Sequence, residues 1–260
     1  MWGLLTLPPD ATSDEAVGVA TVTAYWRPES LGQALLLLEH PRSVVLAGGT
    51  RLNGLSGAEH VEVVDLQALH LDGVERQGGD CLLLGAMTTL AQVVSSGEVP
   101  QALRDAARRE LPSTLRAQAT IGGCVVVGDP ESELLATMLV FDATVRVMGP
   151  EGLQELTLEA LLADLPLEAG KIATAVIIDT RGVASAARTA RTRADKPIVA
   201  AVARAVGGEQ KLALSGVATR PVMVTRLDDL DPPGDFRGSS EYRRALATTL
   251  ASRALKAISL

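Results

Sequence analysis

Two glycine pairs stand where this chain could do chemistry. One lies in Val45-Leu46-Ala47-Gly48-Gly49-Thr50-Arg51-Leu52, the other in Ala119-Thr120-Ile121-Gly122-Gly123-Cys124. Glycine has no Cβ and tolerates positive φ, so paired glycines let backbone N–H groups turn toward a ligand at close range. Each pair abuts a threonine, Thr50 or Thr120, whose hydroxyl can donate to a phosphate oxygen. Each also adjoins a short aliphatic or β-branched run that reads as a strand. Together the pairs could cradle a diphosphate; taken singly, each also reads as a tight turn at a strand end.

Other chemistries lack their residues. There is no G-x-G-x-x-G after a strand, no G-x-x-x-x-G-K-[ST] and no G-x-S-x-G elbow. His40, His60 and His70 stand alone and read as surface residues, and no acid pair suggests a hydrolase. Cys81 and Cys124 have neither metal-ligand nor disulfide-framework spacing, so no metal site and no catalytic nucleophile is assigned.

The elements that must position these pairs follow from pattern. The first 20 residues, with Pro8-Pro9 and several acids, read as a flexible leader, and order is expected from Val22. Ser30 and Gln33 form a capping box opening a helix that Pro41 ends, and a strand at 44–47 leads to the first glycine pair. A strand at 61–66, a hairpin turning at Gly78-Gly79-Asp80 and a capping box at Thr89–Gln92 follow. A helix opens at Pro100, its Arg104, Arg108 and Arg109 reading as a solvated face. Asp129-Pro130-Glu131 reads as a helix start with Asp129 at the N-cap. A hairpin around 149–152 and a short helix lead to a domain boundary near residue 170. Beyond it come a strand at 172–178, an irregular stretch at 183–195 and a helix or long strand at 197–206. Strands at 211–215 and 221–224 follow, then a helix from Ser239 with Tyr242, Leu246, Leu250 and Ala254 on one face. The expected organisation is α+β: leader 1–20, a two-lobed domain 21–170, and a C-terminal domain 171–260.

Composition narrows the partners. At 260 residues with 47% hydrophobic and only 2% aromatic residues, the cores must be aliphatic. Scarce aromatics, a net charge of −7 and a pI near 5.1 argue against nucleic acid. No run approaches a membrane span, and the N-terminus lacks a basic signal-peptide region, so a cytoplasmic protein is expected.

The same residues resemble the FAD-binding medium subunit of the molybdenum hydroxylases, the xanthine dehydrogenase and carbon monoxide dehydrogenase family. Ala47-Gly48-Gly49-Thr50-Arg51-Leu52 is similar to that family's A-G-G-T-[D/N/S]-L loop. Arg116-Ala117-Gln118-Ala119-Thr120-Ile121-Gly122-Gly123-Cys124 is similar to R-N-x-A-T-I-G-G-N. Leu84–Leu90, Tyr25–Leu31, Arg193–Val199 and Gly238–Arg244 resemble further family segments in the same order.

The resemblance implies a vanillyl-alcohol-oxidase-like fold: two α/β lobes holding non-covalent FAD, and a small C-terminal α+β domain. It implies that Ala47, Gly48, Gly49, Thr50, Arg51 and Leu52, with Thr120, Ile121, Gly122, Gly123 and Cys124, line the diphosphate, and that Glu133 replaces an aspartate contacting the nucleotide half. Implied partners are a molybdopterin large subunit and a small subunit with two [2Fe–2S] clusters. Electrons would pass through the flavin to NAD, a quinone or oxygen. A flavin-free structural or assembly subunit, or a stand-alone flavin reductase, is the alternative. The chain departs from the family at Arg51, Ala117, Cys124 and Glu133, and segment 184–190 offers Arg188 but no aromatic residue.

Overall fold

The structure, a computed structural model, describes residues 21–50, 60–192 and 195–259. The leader, Arg51 and Leu52 lie outside the described residues. In the first lobe β1 (Thr21–Trp26) is followed by α1 (Leu31–Leu38) and β2 (Ser43–Leu46). Strand β3 (His60–Asp65) then pairs in parallel between β1 and β2. Ser30 caps α1 as its spacing predicts, its Oγ accepting from the Gln33 amide. Ala34 and Leu38 bury one face of that helix against Val64 and Leu66. Burying one such leucine stabilises by about 2 kcal/mol, which fixes how α1 lies on the sheet.

The second lobe is built on an antiparallel sheet of β4 (Val74–Arg76), β5 (Cys81–Gly85), β6 (Thr144–Gly149), β7 (Gly152–Thr157) and β8 (Ile172–Asp179), ordered β4-β5-β8-β6-β7. Its helices are α2 (Leu90–Ser95), α3 (Gln101–Glu110), α4 (Ser113–Arg116), α5 (Ile121–Val127), α6 (Glu133–Val140) and α7 (Leu158–Ala163). The Thr89–Gln92 capping box forms in full. Helix α6 is buried along its whole length, packed between α3 and the last sheet. That sheet, ordered β12-β11-β10-β9, comprises β9 (Val183–Thr189), β10 (Val199–Val206), β11 (Glu209–Ser215) and β12 (Val222–Met223). Helix α8 (Ser240–Ile258) covers it through Ala247, Leu250, Ala251 and Ala254.

The α+β expectation holds. Several local expectations do not. Strand β8, just past the boundary expected near 170, is the central strand of the five-stranded sheet. Residues 183–189 are a strand because β10 supplies a complete antiparallel partner. Asp129 is not an N-cap: its Oδ1 accepts from the Glu131 amide in a turn, and Ser132 caps α6 instead. On α8 Leu250 and Ala254 are buried and Leu246 packs against the core as expected, but at the helix start Arg243 is buried and Tyr242 exposed. Arg109 leaves the solvated face of α3 to pair with Glu133.

Between second lobe and last sheet, Arg204 is fully buried. It donates to the Val140 carbonyl (2.8 Å), the Arg181 carbonyl (2.9 Å) and Asp142 Oδ2 (3.0 Å), and its Nη2 stands 3.0 Å from Asp179 Oδ2. The guanidinium also lies over the Phe141 ring, 4.9 Å from its centroid. Hydrogen bonds from Arg181, then Arg204, hold the Asp179 carboxyl well below the usual carboxylate range. Asp142 and Asp179 together thus compensate this buried cation.

Candidate flavin cleft

Gly48 shows how the lobes meet. A Cβ built on it would lie 1.8 Å from the Gln118 carbonyl oxygen, so the first glycine pair touches the backbone leading into the second. Only glycine permits that approach. Gly49 follows at φ +69°, a left-handed conformation that turns the chain at the end of β2. Among the described residues no acceptor takes the Gly48 or Gly49 amide, and both residues line the cleft.

The second pair is not a loop between strands. Thr120 makes an isolated bridge to Thr89 and caps α5, and both glycines sit in that helix's first turn. Three valines run through α5, yet tertiary packing overrides their β-branching, with Ile121, Gly122 and Val125 turned inward. The first-turn amides are already committed. Ile121 donates to the Thr88 carbonyl (2.9 Å), Gly122 to the Ala86 carbonyl (2.8 Å) and Gly123 to Thr120 Oγ1 (3.1 Å). Gly122 is there for packing, since a Cβ would lie 2.7 Å from the Ala86 Cβ. The second segment therefore offers a smooth wall and the Thr120 hydroxyl proton, not a row of amides.

Between the lobes runs a cleft of about 420 Å³, within the size range of small-molecule sites. Ala47, Gly48, Gly49, Thr50, Thr120, Gly122, Gly123 and Cys124 all line it. Ile121 does not; it is fully buried in the core. Glu133 does not either: only 2% exposed, it is paired with Arg109 and with Arg188 (3.3 Å). That also accounts for Arg188, which stays out of the cleft wall.

Sequence reasoning missed the cleft's charged end. Glu110, Asp129 and Lys196 line it, and Lys171, paired with Glu168 at 2.6 Å, adds a second cation. Lys196 Nζ donates to Asp129 Oδ2 at 2.5 Å and stands 3.6 Å from Glu110 Oε1. Ser132 Oγ donates to Glu110 Oε2 at 2.9 Å. Burial pushes the Glu110 carboxyl upward, against the opposing pull of Lys196 and the Ser132 hydrogen bond. The one sequence signal was an acid closing the otherwise apolar inner face of α3.

The residues fit a dinucleotide: a backbone loop with a left-handed glycine, hydroxyls from Thr50 and Thr120, apolar walls at Val45, Ala86 and Ile172, and two lysines for negative charge. Among the described residues no group of three His, Cys, Asp or Glu could hold a metal ion, and no helix is long and apolar enough to cross a membrane.

A two-lobed α+β chain with a glycine-lined cleft and an appended antiparallel domain defines a flavin-binding class of fold. Comparison with known proteins gives the family. The FAD binding domain in molybdopterin dehydrogenase matches residues 19–180, and the chain belongs to this family of oxidoreductase flavoproteins. YgfM of Escherichia coli K12 is 30% identical over 254 residues, covering 89% of this chain and 94% of that one. The carbon monoxide dehydrogenase medium chain of Afipia carboxidovorans is 28% identical, covering 89% of this chain and 95% of that one. The Cu,Mo-CO dehydrogenase crystal structure superposes with a TM-score of 0.79 at 25% identity, over 93% of this chain and 99% of that one.

Proposed function

We propose that this chain is the electron-transferring FAD subunit of a molybdenum hydroxylase complex, receiving electrons from an iron–sulfur subunit and delivering them to NAD, a quinone or oxygen. The observation that carries this reading is the backbone contact of Gly48 with Gln118, which joins both family motifs on one cleft. Bound FAD supplies a centre that can take up electrons singly and release them in pairs. The protein supplies binding, orientation and charge. The Gly48–Gly49 amides and the Thr50 and Thr120 hydroxyls, which line the cleft, would hold the diphosphate, with α5 as one wall. Lys196, with Asp129 and Glu110, fixes the charge at one end of the cleft, and the aliphatic walls exclude water.

The assembly reading has the same basis: the medium chains that this protein resembles belong to carbon monoxide and glyceraldehyde dehydrogenases. Its partners are then a molybdopterin-binding large subunit and a small subunit carrying [2Fe–2S] clusters, and the complex works in the cytoplasm. The sheet order supports domain limits of 21–179 for the FAD-binding part and 180–260 for the C-terminal part. The test is anaerobic mixing of the FAD-loaded chain with its reduced iron–sulfur subunit. Bleaching of the visible flavin absorbance is expected; a flavin that stays oxidised overturns the electron-transfer role.

A further inference from the structure

For a site that takes an anionic cofactor, the cleft is short of positive charge. Among the described residues that line it, the carboxylates of Glu110, Asp129 and Glu168 stand against only the ammonium groups of Lys171 and Lys196. Glu168 and Lys171 pair with each other at 2.6 Å. Glu110 and Asp129 are left to share Lys196. A dinucleotide brings further negative charge on its diphosphate, so filling the cleft favours any step that removes negative charge from it.

The two acids do not share the lysine equally. Lys196 Nζ donates to Asp129 Oδ2 at 2.5 Å, and Asp129 Oδ1 accepts from the Glu131 amide at 2.9 Å. Both contacts suit a carboxylate. Glu110 Oε1 stands 3.6 Å from the same Nζ, beyond hydrogen-bonding distance, and the Glu110 side chain is only 6% exposed. Its other oxygen accepts from the Ser132 hydroxyl at 2.9 Å and the Leu134 amide at 3.4 Å. Burial pushes the Glu110 carboxyl upward and Asp129 adds to the push, while Lys196 and the two hydrogen bonds oppose it. Glu110 is therefore the acid of the pair that gives up its charge more readily.

The other charges around Glu110 have partners of their own. From α6, Glu133 pairs with Arg109 of α3 and with Arg188 of β9. In the turn before α6, Glu131 pairs with Arg237. On α3 itself Arg108 pairs with Asp105, and from α4 Arg116 donates to the Arg108 and Leu111 carbonyls at 2.8 Å. Helix α2, packed on α3, carries no titratable side chain. An anion entering the cleft thus acts on one cation and two acids, of which Glu110 is the buried and loosely held member. Nearby negative charge makes an ionised carboxylate costlier, so the anion draws a proton onto Glu110.

We propose that the cleft takes up a proton at Glu110 when it takes up FAD, so that acid strengthens cofactor retention and alkali weakens it. This rests on reading the cleft as the FAD site. The proton comes from solvent, the Glu110 carboxylate becomes a neutral carboxyl, and Lys196 is balanced by Asp129 and the incoming anion. A site that binds a proton together with its ligand holds that ligand more tightly as pH falls.

The test is calorimetric titration of the flavin-stripped full chain with FAD, in buffers of different ionisation enthalpy, over roughly pH 5–8, where carboxyls raised by burial titrate. The heats give the protons taken up per FAD, and the curves give the affinity. The wild type is expected to take up roughly half a proton or more per FAD, its affinity falling about threefold per pH unit through that window. Glu110→Gln is expected to lose both, and its thermal melt reports the fold. FAD binding with no proton uptake at any pH overturns the proposal, and that wild-type result needs no variant. Uptake that persists in a folded Glu110→Gln also overturns it. So does uptake abolished by His40→Gln, which would assign the proton to the exposed imidazole that also lines the cleft. If the folded wild-type chain binds no FAD, the flavin reading fails, and the proposal with it.

Discussion

Lys196 and Asp129 form a 2.5 Å hydrogen bond that fastens the C-terminal domain to the second lobe at one end of the cleft. The lysine comes from the connection between β9 and β10, the aspartate from the turn before α6, and Glu110 closes the group from the end of α3. Three elements far apart in sequence thus meet in one charged cluster. The cleft is held by chemistry as well as shape.

Removing the cation should therefore have two effects. Lys196→Met leaves Glu110 and Asp129 facing each other without their shared partner, and the cluster is mostly buried. A stability loss of about 2 kcal/mol is expected, below the 3–5 kcal/mol of a fully buried broken pair because the lysine is partly exposed. FAD affinity should fall roughly tenfold, a cost of about 1.4 kcal/mol. Urea unfolding and a flavin fluorescence titration measure the two separately.

Glu110 should leave a mark on the pH dependence. Burial raises its folded-state pKa above the unfolded value, so the folded protein holds the proton more tightly. Its contribution is fully present below the unfolded carboxyl pKa, roughly 4.3, and is lost as pH rises through the higher folded value. Glu110→Gln removes that loss. Compared with the wild type, the variant should gain relative stability as pH rises above the unfolded value. Parallel stability curves for the two proteins would show that Glu110 does not titrate this way.

The four motif glycines should not behave alike. Gly48→Ala pushes a Cβ against the Gln118 backbone and is expected to prevent the lobes from closing. Gly122→Ala meets Ala86 at 2.7 Å, an overpacking cost of about 1–3 kcal/mol. Gly123→Val is milder for the fold, since its Cβ meets only Thr120 Oγ1 at 3.1 Å, yet it should abolish FAD retention by intruding on the cleft. Thermal melts and flavin content of the three variants separate fold from binding. Wild-type flavin content in Gly123→Val would make that glycine a packing residue only.

Arg204 is the structural counterpart. Replacing it by Met leaves Asp142 and Asp179 without their shared cation and the Val140 and Arg181 carbonyls without a donor. Asp142 keeps Lys211 and Asp179 keeps Arg181, so a loss of about 2–3 kcal/mol, chiefly from the two carbonyls, is expected in denaturant unfolding, with FAD affinity in the surviving folded fraction little changed.

The sequence carried the scaffold further than the site. Ser30, Thr89 and Ser239 cap helices as their local spacing predicts, because capping is decided within a turn of chain. Both glycine pairs were legible for the same reason. What was not legible depends on distant neighbours. Glu133 turns from the cleft to Arg109 and Arg188, partners 24 and 55 positions away that no local pattern reveals. Residues 121–127, valine-rich and strand-like by propensity, become helix α5 because Thr120 caps them and the Ala86–Thr88 backbone accepts their first amides. Tyr242 yields its buried place to Arg243, which finds the Ile198 and Gly216 carbonyls at 2.7 and 2.9 Å.

The central claim is that the cleft between Gly48–Gly49 and Thr120–Gly123 holds FAD. Its most direct measurement is the visible absorption spectrum of the purified chain after reconstitution with FAD and removal of unbound cofactor. The predicted result is a retained flavin spectrum at one FAD per chain, lost in Gly123→Val. A folded wild-type chain that emerges without flavin bands would contradict it.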